Sequence, residues 1–145
     1  MIGLPSASTS AAQLSVGQPW LPPLIAFQYS AVGRVMNAKT ARSQFLGGMT
    51  MGLSMALHEA SVMDVEFGDY LNSDLAGYHI AACADVHDIE AVWLDEDDDE
   101  LNPMGSKGIG EISIVGTAAA IAGAVHHATG VRIRDLPITP ARLVG

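Results

Sequence analysis

Cysteine is almost missing from these 145 residues: Cys83 stands alone. One thiol forms no intrachain disulfide and cannot supply the four thiolates of an iron–sulfur cluster, so any such cluster sits on a partner. Basic residues are scarce too, with 7 Lys and Arg against 16 Asp and Glu, a net charge of -9, and no positive residue before Arg34. A chain so poor in positive charge lacks the basic face that binds nucleic acid and the polybasic patch that binds a membrane surface. Prolines break the apolar piece "WLPPLIAF" and no cationic region precedes it, so no secretory signal is expected. The longest uncharged stretch beyond it, Ile112 to Val125, falls short of the ~18 apolar residues that mark a membrane span. Charged residues make up 16% of the chain and hydrophobic ones 49%, against about 25% charged in typical chains. So lean a polar surface implies packing against protein outside the chain.

What is present divides at about residue 30. Residues 1 to 30 carry no charge and no sustained period, and they read as a loop or disordered leader, or as a non-native segment. From Asn37, a good N-cap, a helix is predicted: Phe45, Met49, Leu53 and Leu57 recur every fourth residue, flanked by Leu46 and Ala56. Gly48 and Gly52 each cost that helix about 1 kcal/mol relative to Ala, which implies close packing or a ligand against their face. "DVEFGDYLNSDLAG" reads as a turn-rich connection. "YHIAAC" and "DIEAVWLDE" read as short strands, the second with Ile89, Ala91 and Trp93 on one face. "DEDDDE", residues 95 to 100, reads as a solvated acidic loop, since it lacks the spaced ligands and glycine of a calcium loop. A second helix is expected on the stripe Ala118, Ile121, Ala122 and Val125, ended by Gly130. The tail "VRIRDLPITPARLV" offers a short strand and a Pro-initiated turn. Without a repeating βαβ rhythm, the class is α+β, with two main helices and short strands.

The chemistry concentrates in "NPMGSKGIGE", residues 102 to 111. A phosphate-binding P-loop needs its lysine after the second glycine, and Lys107 precedes Gly108. The dinucleotide pattern fails because Gly105, Gly108 and Gly110 have the reversed spacing. Glycines that let backbone N–H groups approach an anion still fit, as does a helix starting soon after, which adds partial positive charge. An ordinary tight loop fits equally well. Glu111, entering an apolar segment, is either paired with Lys107 or held with a raised pKa suited to proton transfer. No set of residues has metal-ligand spacing. "HEASV" has Val62 where a second zinc-binding histidine belongs, and His126 and His127 point about 100° apart on a helix and fit its C-terminal end. Cys83 reads as a small core residue.

Four blocks, "GRVMNAKTARSQFLGGMTMGLSMALHE", "DLAGYHI", "NPMGSKGIGE" and "GVRIRDLPITPARL", together resemble the C-terminal part of the molybdenum-binding subunit of the xanthine dehydrogenase/aldehyde oxidase family. They stand in that family's order across residues 31 to 144. The resemblance implies a piece of a molybdopterin-binding domain over 31–145. It also implies oxidative hydroxylation of aldehydes or N-heterocycles with water as oxygen source. Glu111 then stands at the position of the catalytic base. Gln44, Lys107, Gly108, Ile109 and Gly110 stand along a molybdenum–molybdopterin cofactor, in its cytosine dinucleotide form in bacterial enzymes with separate subunits. The implied partners are iron–sulfur (2Fe-2S) and FAD subunits and the rest of the molybdenum subunit.

The resemblance has gaps. Asn37-Ala38 replaces the usual Asn-Pro, a tolerable change because proline at the first helical position is favoured without being required. Residues 1 to 30 do not resemble the family's preceding strands. Such subunits are several times longer, so this chain alone is expected to be inactive. A truncated or frameshifted remnant and a free-standing anion-binding module are the rival readings. The cytoplasm is the first expectation for location, and the periplasm stays open because an export signal would sit on a true N-terminus or on a partner.

Overall fold

The computed structural model describes residues 11–15, 25–86, 88–94 and 96–144. Strand β2, Ile25–Ala31, occupies the centre of a three-stranded sheet. β1, Ala11–Ser15, pairs with it antiparallel on one side, and β5, Asp88–Leu94, pairs parallel on the other, from Ile25 opposite Asp88 to Ala31 opposite Leu94. Against the expectation of a loop or disordered leader over residues 1 to 30, that stretch holds β1 and all of β2 but Ala31; its other residues lie outside those described. Backbone pairing with β5 lies far along the chain, so no local pattern announces it.

A parallel pair needs a crossover, and α1, Ala38–Leu57, is the helix of that connection. Asn37 caps this helix, its side chain accepting the Thr40 N–H at 3.1 Å. The four-residue stripe turns inward as expected, with Phe45, Met49, Leu53 and Ala56 buried. The stripe serves two clusters. Phe45 and Met49 join Val32, with Ile89, Ala91, Trp93, Ile109 and Ile112 packed around them. Leu53 and Ala56 join Ile121 and Ile138 further along. Phe45 and Trp93 stack with ring centroids 6.2 Å apart.

Gly48 and Gly52 are the contact points of α1 with the segment leading into α2, Thr117–Thr129. A Cβ on Gly48 would collide with Ser113 Oγ, and one on Gly52 would lie 2.6 Å from Thr117 Cβ. Packing, not a ligand, occupies that face. α2 begins at Thr117, six residues after Glu111, with a run of turns between. It is half-buried, with Thr117 and Ile121 as its buried residues, and Gly130 ends it at φ 75°, donating its N–H to the His126 carbonyl.

Two expected strands are absent from their places. Residues 78–83 form no strand, because the Ala81 N–H goes to the Ser54 hydroxyl of α1 at 2.9 Å instead of to a sheet edge. Cys83 there is exposed, not a core residue. Residues 131–134 likewise form no strand; the tail is tied down when the Ile138 N–H donates to the Ala56 carbonyl at 2.7 Å, and α3, Ala141–Val144, follows Pro140. The turn-rich connection holds a small hairpin, β3 (Met63–Asp64) with β4 (Asp69–Tyr70), closed by Gly68 at φ 70°. Among the described residues no helix is long and apolar enough to cross a membrane.

Candidate functional site

The glycine-rich loop is held where β2 ends. Gly33 bridges Ser106 in antiparallel fashion, Arg34 N–H donates to the Gly105 carbonyl at 2.8 Å, and Lys107 N–H donates to the Val32 carbonyl at 3.2 Å. So close a crossing needs glycine on both sides: Gly33 has φ 65° and Gly105 φ 62°, and a Cβ on Gly33 would strike the Gly105 carbonyl.

Beyond the crossing, "GIGEI" divides by side chain. Ile109 and Ile112 pack on the Phe45 cluster, while Gly108, Gly110 and Glu111 face outward and are exposed. Nothing lies within 4 Å of where a Cβ on Gly108 or Gly110 would stand. Among the described residues, the backbone N–H groups of Gly108 through Glu111 have no hydrogen-bond acceptor. They form a short run of donors open to an incoming acceptor.

A cleft of about 250 Å³ lies beside this loop, lined by Arg34, Met36, Asn37, Thr40, Ala41, Gln44, Ser106, Lys107 and Ile109. Gln44, Lys107 and Ile109, far apart in sequence, therefore share one cleft. Gly108, Gly110 and Glu111 do not line it but follow directly along the chain. Gln44 presents an exposed side chain from α1, and its carbonyl accepts the Ser113 hydroxyl at 3.3 Å, which ties the helix to the far end of the loop.

Charge is arranged differently from expectation. Lys107 Nζ pairs with Glu96 Oε2 at 2.7 Å and Asp98 Oδ2 at 3.2 Å. The hydrogen bond to Glu96 raises its pKa, against a lowering by desolvation, and the bond to Asp98 raises it further. The acidic run is thus not simply solvated: Glu96 and Asp98 fold onto Lys107, and Asp97 pairs with Arg34 at 3.3 Å. Pairing of Glu111 with Lys107 is replaced by this arrangement. Nor is Glu111 buried, and among the described residues no hydrogen bond or ion pair holds its carboxylate. The helix end at the cleft is that of α1, through Asn37, Thr40 and Ala41, not that of α2.

Sequence reasoning missed Arg34, Thr40 and Ser106 as cleft residues and Glu96 and Asp98 as the partners of Lys107. A usable signal existed for the pairs, since one of the few lysines lies close to the densest acidic run in the chain.

The residues present fit an anionic, hydrogen-bonding cofactor. A carboxamide, a guanidinium and a helix N-terminus line one cleft, and the open backbone donors of Gly108 through Glu111 follow from it directly along the chain, where glycines leave room. Comparison with known proteins points the same way. Residues 25–87 match the molybdopterin cofactor-binding domain family, a match that begins where β2 begins. The aldehyde oxidoreductase molybdenum-binding subunit PaoC of Escherichia coli is 47% identical over 114 residues, which is 79% of this chain and 16% of that protein. The putative xanthine dehydrogenase molybdenum-binding subunit XdhA of Escherichia coli is 38% identical over 111 residues, 77% of this chain and 15% of that one. Among solved structures, quinoline 2-oxidoreductase from Pseudomonas putida superposes with a TM-score of 0.74 at 30% identity, covering 82% of this chain and 15% of the other. The chain belongs to the xanthine dehydrogenase/aldehyde oxidase family of molybdenum-binding subunits. It spans about one sixth of the length of the relatives it matches.

Proposed function

We propose that the chain is the C-terminal part of a molybdenum hydroxylase large subunit and works only together with the rest of that subunit. When bound, molybdenum–molybdopterin supplies the oxidative hydroxylation of an aldehyde or N-heterocycle, with water as the oxygen source. The cleft beside Gln44 and Ile109 holds the organic part of the cofactor, in the cytosine dinucleotide form. The N–H groups of Gly108 through Glu111 donate to its acceptor oxygens. Glu111 is the general base, its exposed carboxylate taking the proton released as the water-derived oxygen attacks the electrophilic carbon. Iron–sulfur and FAD subunits receive the electrons. The observation that carries this reading is the single cleft joining Gln44 of α1 to Lys107 and Ile109 of the glycine loop.

A supporting observation separates this reading from a free-standing module. Val65, Phe67 and Leu75 are 91%, 83% and 90% exposed, an apolar display expected of a piece that rests on more protein. The catalytic assignment is tested with Glu111→Gln in the full-length subunit. Turnover should fall at least about 100-fold while molybdenum content is unchanged. Near-normal turnover in a fully loaded variant removes Glu111 from the reaction.

A further inference from the structure

Lys107 is the cation nearest the open donors of the glycine loop, yet its charge is already committed. Its side chain is 15% exposed and lies within bonding distance of two carboxylates, Glu96 and Asp98. Glu96 Oε2 also accepts the Gly33 N–H at 3.3 Å, so one carboxylate oxygen meets both the lysine and the end of β2. Arg34 beside it faces Asp97. Two cations thus face three carboxylates, and an anion brought to Lys107 would meet an excess of negative charge within a few ångströms. The same lysine's backbone N–H is bonded to the Val32 carbonyl, and its stem passes Gly33, with Cγ 3.5 Å from where a Cβ would stand. Head, stem and backbone of one residue therefore join three segments: 32–34 after β2, 96–98 after β5, and 105–107 before the open loop.

We propose that Lys107 is a positioning residue, a clamp through Glu96 and Asp98 that fixes the base of the 108–111 loop, and not a cation that pairs with the ligand's anionic groups. Fixing that base matters because, among the described residues, the 108–111 segment beyond it is held by the packing of Ile109 and Ile112 and by the Ser113 bond to Gln44 further on, while Gly108, Gly110 and Glu111 are exposed. A clamp on one side and two partly buried side chains on the other leave those donors pre-set instead of ordered on binding. The anion's partners are then the backbone donors and the α1 terminus.

The bearing on a cofactor rests on the proposed function; the clamp itself does not, and two readouts separate them. The first is amide hydrogen exchange at Arg34 and Lys107, whose N–H groups are bonded across the crossing. The second is molybdenum and pterin retained by the full-length subunit. The variants are Lys107→Met, Lys107→Arg, Glu96→Gln, and the reversal Lys107→Glu with Glu96→Lys. Loss of a charge-assisted bond should speed exchange on the order of tenfold in both Lys107→Met and Glu96→Gln. Cofactor retention should fall in both, and Lys107→Arg or the charge reversal should recover part of each. If Lys107→Met strips the cofactor while exchange is unchanged and Glu96→Gln retains it, the lysine meets the ligand directly and the clamp is overturned. Unchanged exchange in both single variants overturns it as well. Absence of cofactor from the unaltered subunit, with exchange responding as stated, refutes the proposed function and leaves the clamp standing.

Discussion

Two adjacent glycines of α1 should respond to the same substitution with opposite sign. Gly47 is exposed, and nothing lies within 4 Å of a Cβ built on it. Gly47→Ala therefore collects the helix-propensity difference and should stabilise the chain by up to about 1 kcal/mol. Gly48 has the same propensity to gain, but its Cβ would run into Ser113 Oγ, with Ser113 Cβ at 3.1 Å and the Ile114 nitrogen at 3.3 Å. Ser113 is fully buried and its hydroxyl donates to the Gln44 carbonyl at 3.3 Å, so it has little room to yield. Overpacking of this kind costs roughly 1–3 kcal/mol, and displacing the hydroxyl forfeits a neutral hydrogen bond of about 1 kcal/mol. Cost exceeds gain, and Gly48→Ala should destabilise by roughly 1–3 kcal/mol. Urea unfolding of both variants reads the difference from the midpoints at constant slope. Adding Ser113→Gly to Gly48→Ala should recover most of the loss, a non-additivity expected only of groups in contact. Equal stabilisation by the two alanines would refute the close approach of α1 to residue 113, and with it the account of how the helix braces the loop.

Three other outcomes follow from single contacts. Asn37→Ala removes the acceptor for the Thr40 N–H and should cost about 1 kcal/mol in the same unfolding assay. Phe45→Ala empties a fully buried position stacked on Trp93 and should cost roughly 3–5 kcal/mol, with a change in tryptophan fluorescence. Tyr78 donates its hydroxyl to Glu59 Oε2 at 2.8 Å, and that bond, then burial, then the negative charge of Glu59, raise its pKa above the ordinary 10.0. Because the folded value exceeds the unfolded one, the bond's contribution is complete below the ordinary tyrosine range and is lost as pH rises through the folded value. Phenolate absorbance of the chain minus that of Tyr78→Phe should titrate at lower pH once Glu59→Gln is introduced.

What could be read in advance was what repeats locally. The stripe of Phe45, Met49 and Leu53, the Asn37 cap, the Ile89–Ala91–Trp93 face and the Gly130 terminus each depend on neighbours within a few residues, and each stands as expected. The failures share a cause in distance. β2 is a strand because β5 lies beside it, more than fifty residues on, and residues 78–83 are not one because a serine of α1 takes the amide that a sheet would need. The site divides the same way. The residue types near the glycine loop suggested an anion, while the partner of Lys107 depended on where the acidic run folds. Glu111 was expected to lose solvation because the residues after it are apolar, but Ile109 and Ile112 fill the inward positions and leave the carboxylate outside.

If the proposed function holds, placing the electropositive end of the cleft on α1 also accounts for how a chain of net charge -9 would attract an anion. Lys107 contributes little field at a distance, since Glu96 and Asp98 neutralise it at contact range. α2 is set back by the turns from Glu111 to Gly116, and the field of a helix terminus falls off within about one turn. α1 has no acidic residue in its first turn, which carries Lys39 instead, with Arg42 just after it. Its first turn, through Asn37, Thr40 and Ala41, lines the cleft on the Gln44 side, and no carboxylate on that turn opposes the positive end of the helix. On the proposed function, α1 would attract the anion and the backbone of Gly108 through Glu111 would place it. A substitution that adds a carboxylate to the first turn, such as Lys39→Glu, should weaken cofactor retention without disturbing exchange at Arg34 and Lys107, whereas breaking the clamp should disturb both.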